Sequence, residues 1–128
     1  MELLLDTQAI YWWSREQADL SNRAREAIRD PASRVVVSAA SAWELTIKHR
    51  KGLWPEVGPL IAVFPQEMAA NRFGLVDITV ADGLAAGLLD RHHGDPFDRM
   101  LIAQALSRGL TLVSSDEVFD KYGVSRLW

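Results

Sequence analysis

The sequence predicts an α/β fold: a parallel sheet with helices on both faces, in one domain spanning residues 1–128. Short β-branched or leucine runs alternate with helical stretches of about 10–15 residues, the rhythm of strand–helix–strand units. The runs are apolar throughout, as in strands covered on both faces. Gly52 and Gly109 end two of the helical stretches. In chain order, a leucine run makes a strand of Glu2–Leu5, and helices follow near Thr7–Trp13 and Ser21–Asp30. A valine run makes a strand of Arg34–Ser38, ahead of helices over Ala39–Lys51 and Pro59–Asn71. A strand at Gly74–Ile78 leads into helices over Val80–Asp90 and Pro96–Arg108. Leu110–Ser114 is the fourth strand, and Val124–Leu127 is a short fifth.

Composition is that of a globular protein, 48% hydrophobic and 24% charged. There is no cysteine, which excludes disulfide frameworks and thiolate metal sites. The opening Met1–Asp6 has only three consecutive apolar residues before an acid, unlike a secretory signal. No apolar run approaches the roughly 20 residues of a membrane span. A cytoplasmic protein with no membrane association is expected. The net charge of −3 runs against the basic excess of most phosphate binders, and a site that gathers carboxylates would account for part of it.

Ligands of parallel sheets bind beyond the carboxyl ends of the strands, and Asp6 and Asp116 each follow a predicted strand there. Each serves equally well as an N-cap worth about 1 kcal/mol, and Ser114 or Ser115 could replace Asp116 in that role. In Asp95-Pro96-Phe97-Asp98, Asp95 reads as N-cap, Pro96 as N1 and Asp98 as N3 of a helix. Asp98 nevertheless shares a face with Leu101, Ile102 and Ala105, opposite a side bearing Gln104, Ser107 and Arg108 that is expected to be wet. A carboxylate aligned with a buried stripe needs hydrogen bonds, a cation or a proton. Glu44 lies in the apolar segment Ala39–Ile47, with Lys48 four residues on as an ion-pair partner.

Among the cations, Lys48, Arg50 and Lys51 could meet phosphates or offset a helix dipole, and Arg99 could contact a substrate or solvate a helix start. His92 and His93 are adjacent, point apart and lack a third ligand at metal spacing, so they are not read as a metal pair. Of the five tryptophans, Trp12 and Trp13 stand on one short helix, where one is expected on a partner or dimer surface.

These segments together resemble the PIN-domain nucleases, and most closely the VapC-like toxins of bacterial toxin–antitoxin pairs. The resemblance rests on Leu4-Leu5-Asp6-Thr7, on Ser38–Leu45, on Asp95–Ala105 and on Leu112–Asp116, in that order along essentially the whole chain. It implies an α/β/α sandwich with about five parallel strands and four catalytic, metal-binding acids at Asp6, Glu44, Asp98 and Asp116. Asp95, Thr7 and Ser114 would be auxiliary. Ser114 stands where the family commonly has threonine and keeps the hydroxyl. The resemblance further implies Mg²⁺ or Mn²⁺, an RNA substrate, a cognate antitoxin and a homodimer.

The chemistry is coherent. Carboxylates within about 5 Å of one another repel by roughly 3 kcal/mol per pair at an effective dielectric near 20. Hard oxygen donors suit Mg²⁺ or Mn²⁺, which activates water and offsets charge in phosphoryl transfer. Asp6 and Asp98 are expected to ligate directly, Asp116 directly or through water, and Glu44 to position the attacking water or a second ion. Other phosphoryl-transfer folds fit less well. Asp6-Thr7-Gln8 lacks the Asp-x-Asp of haloacid dehalogenases, the acid pair and lysine of response-regulator receivers are missing, and there is no glycine-rich phosphate loop. A catalytically silent PIN-like module that binds RNA or protein is the remaining alternative.

Overall fold

A computed structural model describes all residues, 1–128. Five strands, β1 (Glu2–Leu5), β2 (Arg34–Ser38), β3 (Gly74–Val76), β4 (Thr111–Val113) and β5 (Arg126–Leu127), form one sheet in the order β3-β2-β1-β4-β5, with every neighbouring pair parallel. The helices are α1 (Thr7–Ser14), α2 (Asn22–Arg29), α3 (Ala39–Arg50), α4 (Gly58–Ala62), α5 (Phe64–Ala70), α6 (Val80–Leu88) and α7 (Pro96–Arg108). Two 3₁₀ turns, Pro55–Val57 and Glu117–Tyr122, complete the chain.

The sheet separates two cores, which makes the molecule a three-layer sandwich. Leu3 and Leu5 of β1 face one side, with Val35, Val37 and Val113, and pack on Ile10 of α1, Ile28 of α2, Leu45 of α3, Leu60 of α4 and Met68 of α5. Leu4 faces the other side, with Val36 and Leu112, and packs on Leu101, Ile102 and Ala105 of α7 and on Phe119. Leu3, Leu4 and Leu5 are wholly inaccessible, and each such burial stabilises the fold by about 2 kcal/mol. The continuous leucine run is thus the signature of a central strand covered on both faces.

The chain runs outward from β1 to β2 and β3, then returns to the other flank of β1 for β4 and β5. That reversal puts the topological switch point at the carboxyl ends of β1 and β4, where a crevice opens in doubly wound sheets. Asp6 follows β1 and Asp116 follows β4.

Some sequence expectations are corrected. The helix expected over Pro59–Asn71 is two, broken at Val63, where φ is −126°. Pro65, in the first turn of α5, has no N–H for the carbonyl one turn back, and its ring would collide with that carbonyl. The third strand stops at Val76 rather than Ile78, the fifth is confined to Arg126–Leu127, and the helix expected over Val80–Asp90 ends at Leu88. Gln104 does not face water. It is fully buried, and its amide donates to the Asp77 carbonyl and to Asp82 Oδ2. A second helix layer explains this: α7 lies between the sheet and α6, and Arg108 clamps Asp82 of α6 through two 2.9 Å bonds. Trp12 and Trp13 are both half-buried, against Trp128 and Phe73, and the exposed tryptophan is Trp43, at 59%.

Candidate metal centre

Asp6, Thr7, Glu44, Lys48, Asp95, Asp98 and Asp116 line one cleft at the carboxyl end of the sheet, with Gln8, Trp54 and Phe119 completing its wall. All four acids of the resemblance reach it from different elements. Asp6 is the N-cap of α1 and accepts the Ala9 N–H at 2.7 Å. Glu44 comes from α3, which Ser38 caps by accepting from Ala40 N at 3.0 Å. Asp98 stands in the first turn of α7, where its own N–H donates at 2.9 Å to Asp95, the N-cap. Asp116 caps the second 3₁₀ turn through Val118 N at 3.0 Å. Its N–H in turn donates to the buried Ser114 hydroxyl at 3.0 Å. The capping and site readings therefore coincide at Asp6, Asp95 and Asp116.

Glu44 is only 4% exposed and is held at both oxygens. One accepts from the Thr7 hydroxyl and the other from Lys48 Nζ at 2.6 Å. A hydroxyl has a single proton, which Thr7 gives to the carboxylate, so the Ser41 hydroxyl donates to Thr7 Oγ1 across 3.0 Å. Burial alone would lower the Lys48 pKa, but the bond to Glu44 and the charges of Glu44, Asp95 and Asp98 outweigh it, so the ammonium is favoured.

Asp6 has no cationic partner, and Asp98 has only the His93 imidazole, with Nε2 2.8 Å from its Oδ2. Burial pushes the Asp6 carboxyl up to about 6, with the charges of Asp98 and Glu44 adding to the rise and the Ser114 hydroxyl and Ala9 N–H opposing it. Burial likewise raises Asp98 to about 6; its bond from His93 opposes the shift, and Asp95 and Glu44 add to it. Two desolvated carboxyls beside further acids form a set whose charge is incompletely balanced within the chain.

The hard oxygen donors and this unbalanced charge fit a divalent cation. No three acidic or histidine side chains converge into a closed metal cage. Asp6 and Asp98 are the candidate direct ligands.

The predicted cations divide. Lys48 lines the cleft, whereas Arg50 and Lys51 are exposed beyond it, beside Trp43 and Thr46. Arg99 is turned inward. Its guanidinium donates to the carbonyls of Ala86, Leu89, Asp90 and His93 at 2.8–3.1 Å, tying the end of α6 to α7. Both terminal nitrogens are thereby engaged within the protein. Sequence reasoning missed His93, whose Nε2 lies 2.8 Å from Asp98 Oδ2, and Ser41. The pairing of His92 with His93 suggested only a metal pair, whereas the signal was a histidine just upstream of an Asp-Pro helix start.

A PIN domain family model matches residues 3–124. The chain belongs to the PIN domain family. This PIN domain is 33% identical over 115 residues to ribonuclease VapC22 of Mycobacterium tuberculosis, across 89% of this chain and 86% of that protein. A shorter match, 37% identical over 66 residues, is to ribonuclease VapC16 of the same organism, covering 52% of this chain and 45% of that protein. Solved structures with the same fold include VapBC2 of Rickettsia felis bound to a promoter DNA fragment. There the TM-score is 0.71 at 13% identity, covering 99% of this chain and 98% of that one. DNA-bound VapBC of Salmonella typhimurium has a TM-score of 0.69 at 21% identity, covering 99% and 97%.

Proposed function

We propose that this PIN domain is a VapC-like endoribonuclease, the toxin of a toxin–antitoxin pair, and that it hydrolyses RNA phosphodiesters with a carboxylate-bound Mg²⁺ or Mn²⁺. The observation that carries the reading is the cleft at the switch point. Four acids from four elements meet there, and desolvation raises the carboxyls of two of them, Asp6 and Asp98, to about 6. The likeness to ribonuclease VapC22 over most of both chains supports it.

When bound, the ion supplies a water of lowered pKa and offsets charge at the reacting phosphorus. The chain's own residues prepare the rest. Asp6 and Asp98 would hold the ion, and Asp116, at the exposed lip, would complete the set directly or through water. Glu44, fixed by Thr7 and Lys48, orients the attacking water. The Lys48 ammonium keeps donors free for a phosphate oxygen. In the reaction, the water oxygen bonds to phosphorus, a bridging P–O bond breaks, and the departing ribose oxygen gains a proton.

We assign a cognate antitoxin as partner, since the structural neighbours are VapBC complexes. We propose a homodimer through the outer face of α6, where Val80, Leu84 and Leu88 are 82%, 65% and 85% exposed. Beside it runs an apolar groove lined by Trp43, Ile78, Phe97 and Met100. Apolar surface of this kind marks association sites. No helix is long and apolar enough to cross a membrane, and we assign the protein to the cytoplasm with its RNA substrate.

The test is cleavage of total cellular RNA by antitoxin-free protein with Mg²⁺, with Mn²⁺ and with EDTA, beside Asp98→Asn. Discrete, ion-dependent cleavage that vanishes in the variant is expected. Folded protein that binds RNA, cleaves nothing and gains no stability from either ion would replace the nuclease with a silent binding module.

A further inference from the structure

His93 belongs to none of the four acidic positions, yet its imidazole is part of the cleft's construction. Its Nε2 lies 2.8 Å from Asp98 Oδ2, and its side chain is 27% exposed. Its backbone is held twice. Arg99 donates to the His93 and Asp90 carbonyls at 3.1 and 2.9 Å, and the Tyr122 hydroxyl reaches the same two carbonyls at 3.4 and 2.9 Å. The neighbouring His92 ring packs edge-on against Tyr122, with centroids 5.2 Å apart. The segment Asp90–Gly94 has no helix or strand of its own, so these contacts are what fix the ring in place.

A carboxylate only accepts hydrogen bonds, so a bond at this distance to ionised Asp98 requires a proton on Nε2. The imidazole carries that proton in one of its neutral tautomers and in its charged form alike. With Oδ2 held by His93, Asp98 keeps one rotamer and leaves Oδ1 free. Carboxylates that ligate metals are commonly fixed by such partners, whose loss weakens metal affinity or activity by about 10–100-fold.

We propose that His93 is a positioning residue of the nuclease centre, donating from Nε2 to Asp98 Oδ2 so that the carboxylate is set for the metal before the ion arrives. Arg99 and Tyr122 act through it by clamping its backbone. This role rests on the metal-dependent reading of the acidic cleft.

The experiment compares wild type, His93→Ala, His93→Gln and Asp98→Asn. Calorimetric titration with Mn²⁺ alone measures binding without any turnover. His93→Ala should weaken Mn²⁺ by at least about 10-fold and lower kcat with little change in KM. His93→Gln carries an amide donor at a reach similar to Nε2 and should recover most of both. In metal-free wild type, two-bond ¹H–¹⁵N spectra should show His93 protonated at Nε2. Wild-type Mn²⁺ affinity in His93→Ala, a Gln variant no better than Ala, or an unprotonated Nε2 would overturn the proposal. Should His93→Ala fail to fold, the Gln variant and the spectra still decide. Asp98→Asn separates the two levels: if it binds Mn²⁺ and cleaves like wild type, the reading of the cleft itself fails. If Asp98→Asn loses both while His93→Ala keeps both, only the positioning role fails.

Discussion

Replacing Asp6 with asparagine should stabilise the metal-free protein while abolishing cleavage. The side chain is 7% exposed and its carboxyl is raised from 3.8 to about 6. At about 1.4 kcal/mol per pKa unit, that shift makes the ionised form unfavourable in the fold by roughly 3 kcal/mol. Asparagine has the same shape and keeps an oxygen for the Ala9 N–H, so the N-cap survives as a weaker, neutral bond. A net gain of about 2 kcal/mol is expected, equivalent to roughly 5–10 °C in Tm for a chain of this size. The direction with pH follows from linkage. The folded state holds the Asp6 proton more tightly than the unfolded chain does, so wild-type stability rises as pH falls from about 6 toward 4. The advantage of Asp6→Asn is therefore full at pH 7.5 and small at pH 4.5.

Circular dichroism melts in EDTA at the two pH values measure this directly. Adding Mg²⁺ at pH 7.5 should raise the wild-type Tm and leave Asp6→Asn nearly unmoved, because bound ion stabilises only the state that binds it. A variant no more stable than wild type at pH 7.5 would show that Asp6 is already compensated within the chain, and the electrostatic case for a cation would fall with it.

Three further outcomes are expected. Asp82→Asn should cost about 1 kcal/mol, since it removes the charge from a pair whose Arg108 side is 30% exposed. The Arg108 bond holds the Asp82 carboxyl well below the usual carboxylate range, so the wild-type advantage should be full above about pH 4 and shrink below it. Urea melts read both effects, and cleavage per folded molecule should be unchanged. Lys48→Ala should weaken RNA binding and reduce the slope of log affinity against log salt by about 1, measured by fluorescence anisotropy in Ca²⁺ so that no turnover intervenes. Leu84→Asp with Leu88→Asp should convert a dimer to monomers in light scattering, with Tm at high dilution nearly constant because both side chains are exposed in the single chain.

What was legible in the sequence, and what was not, follows from the range of each interaction. Leu3-Leu4-Leu5 and Val35-Val36-Val37 announce central strands because covering on both faces removes any alternation. Asp6 and Asp116 announce a crevice because strand ends in such sheets lie together. These signals are local, and the structure agrees with the elements they predict. Gln104 was misread, and the inward bonds of Arg99 were not legible, because their partners are distant: Gln104 reaches Asp77 and Asp82, and Arg99 reaches the end of α6. A helix wheel assigns one buried stripe and is blind to a second layer on the far side of α7. The exposure of Trp43 was not legible for a different reason. It neighbours Glu44 on a helix apolar nearly all round, and nothing in that pattern says which flank the fold leaves bare.

The strand-end acids also show why capping and site readings are not competitors. Asp6, Asp95 and Asp116 each accept a backbone N–H through one oxygen. That bond stabilises a helical start by about 1 kcal/mol and at the same time locks the side chain, leaving the second oxygen unused by the cap. At Asp6 the favourable cap is smaller than the roughly 3 kcal/mol penalty of the buried charge, so capping alone does not explain a carboxylate there when a neutral asparagine would keep most of the cap without that penalty. A charge retained against its own desolvation, on a side chain whose orientation is already fixed, is an arrangement that a cation in the cleft would make favourable.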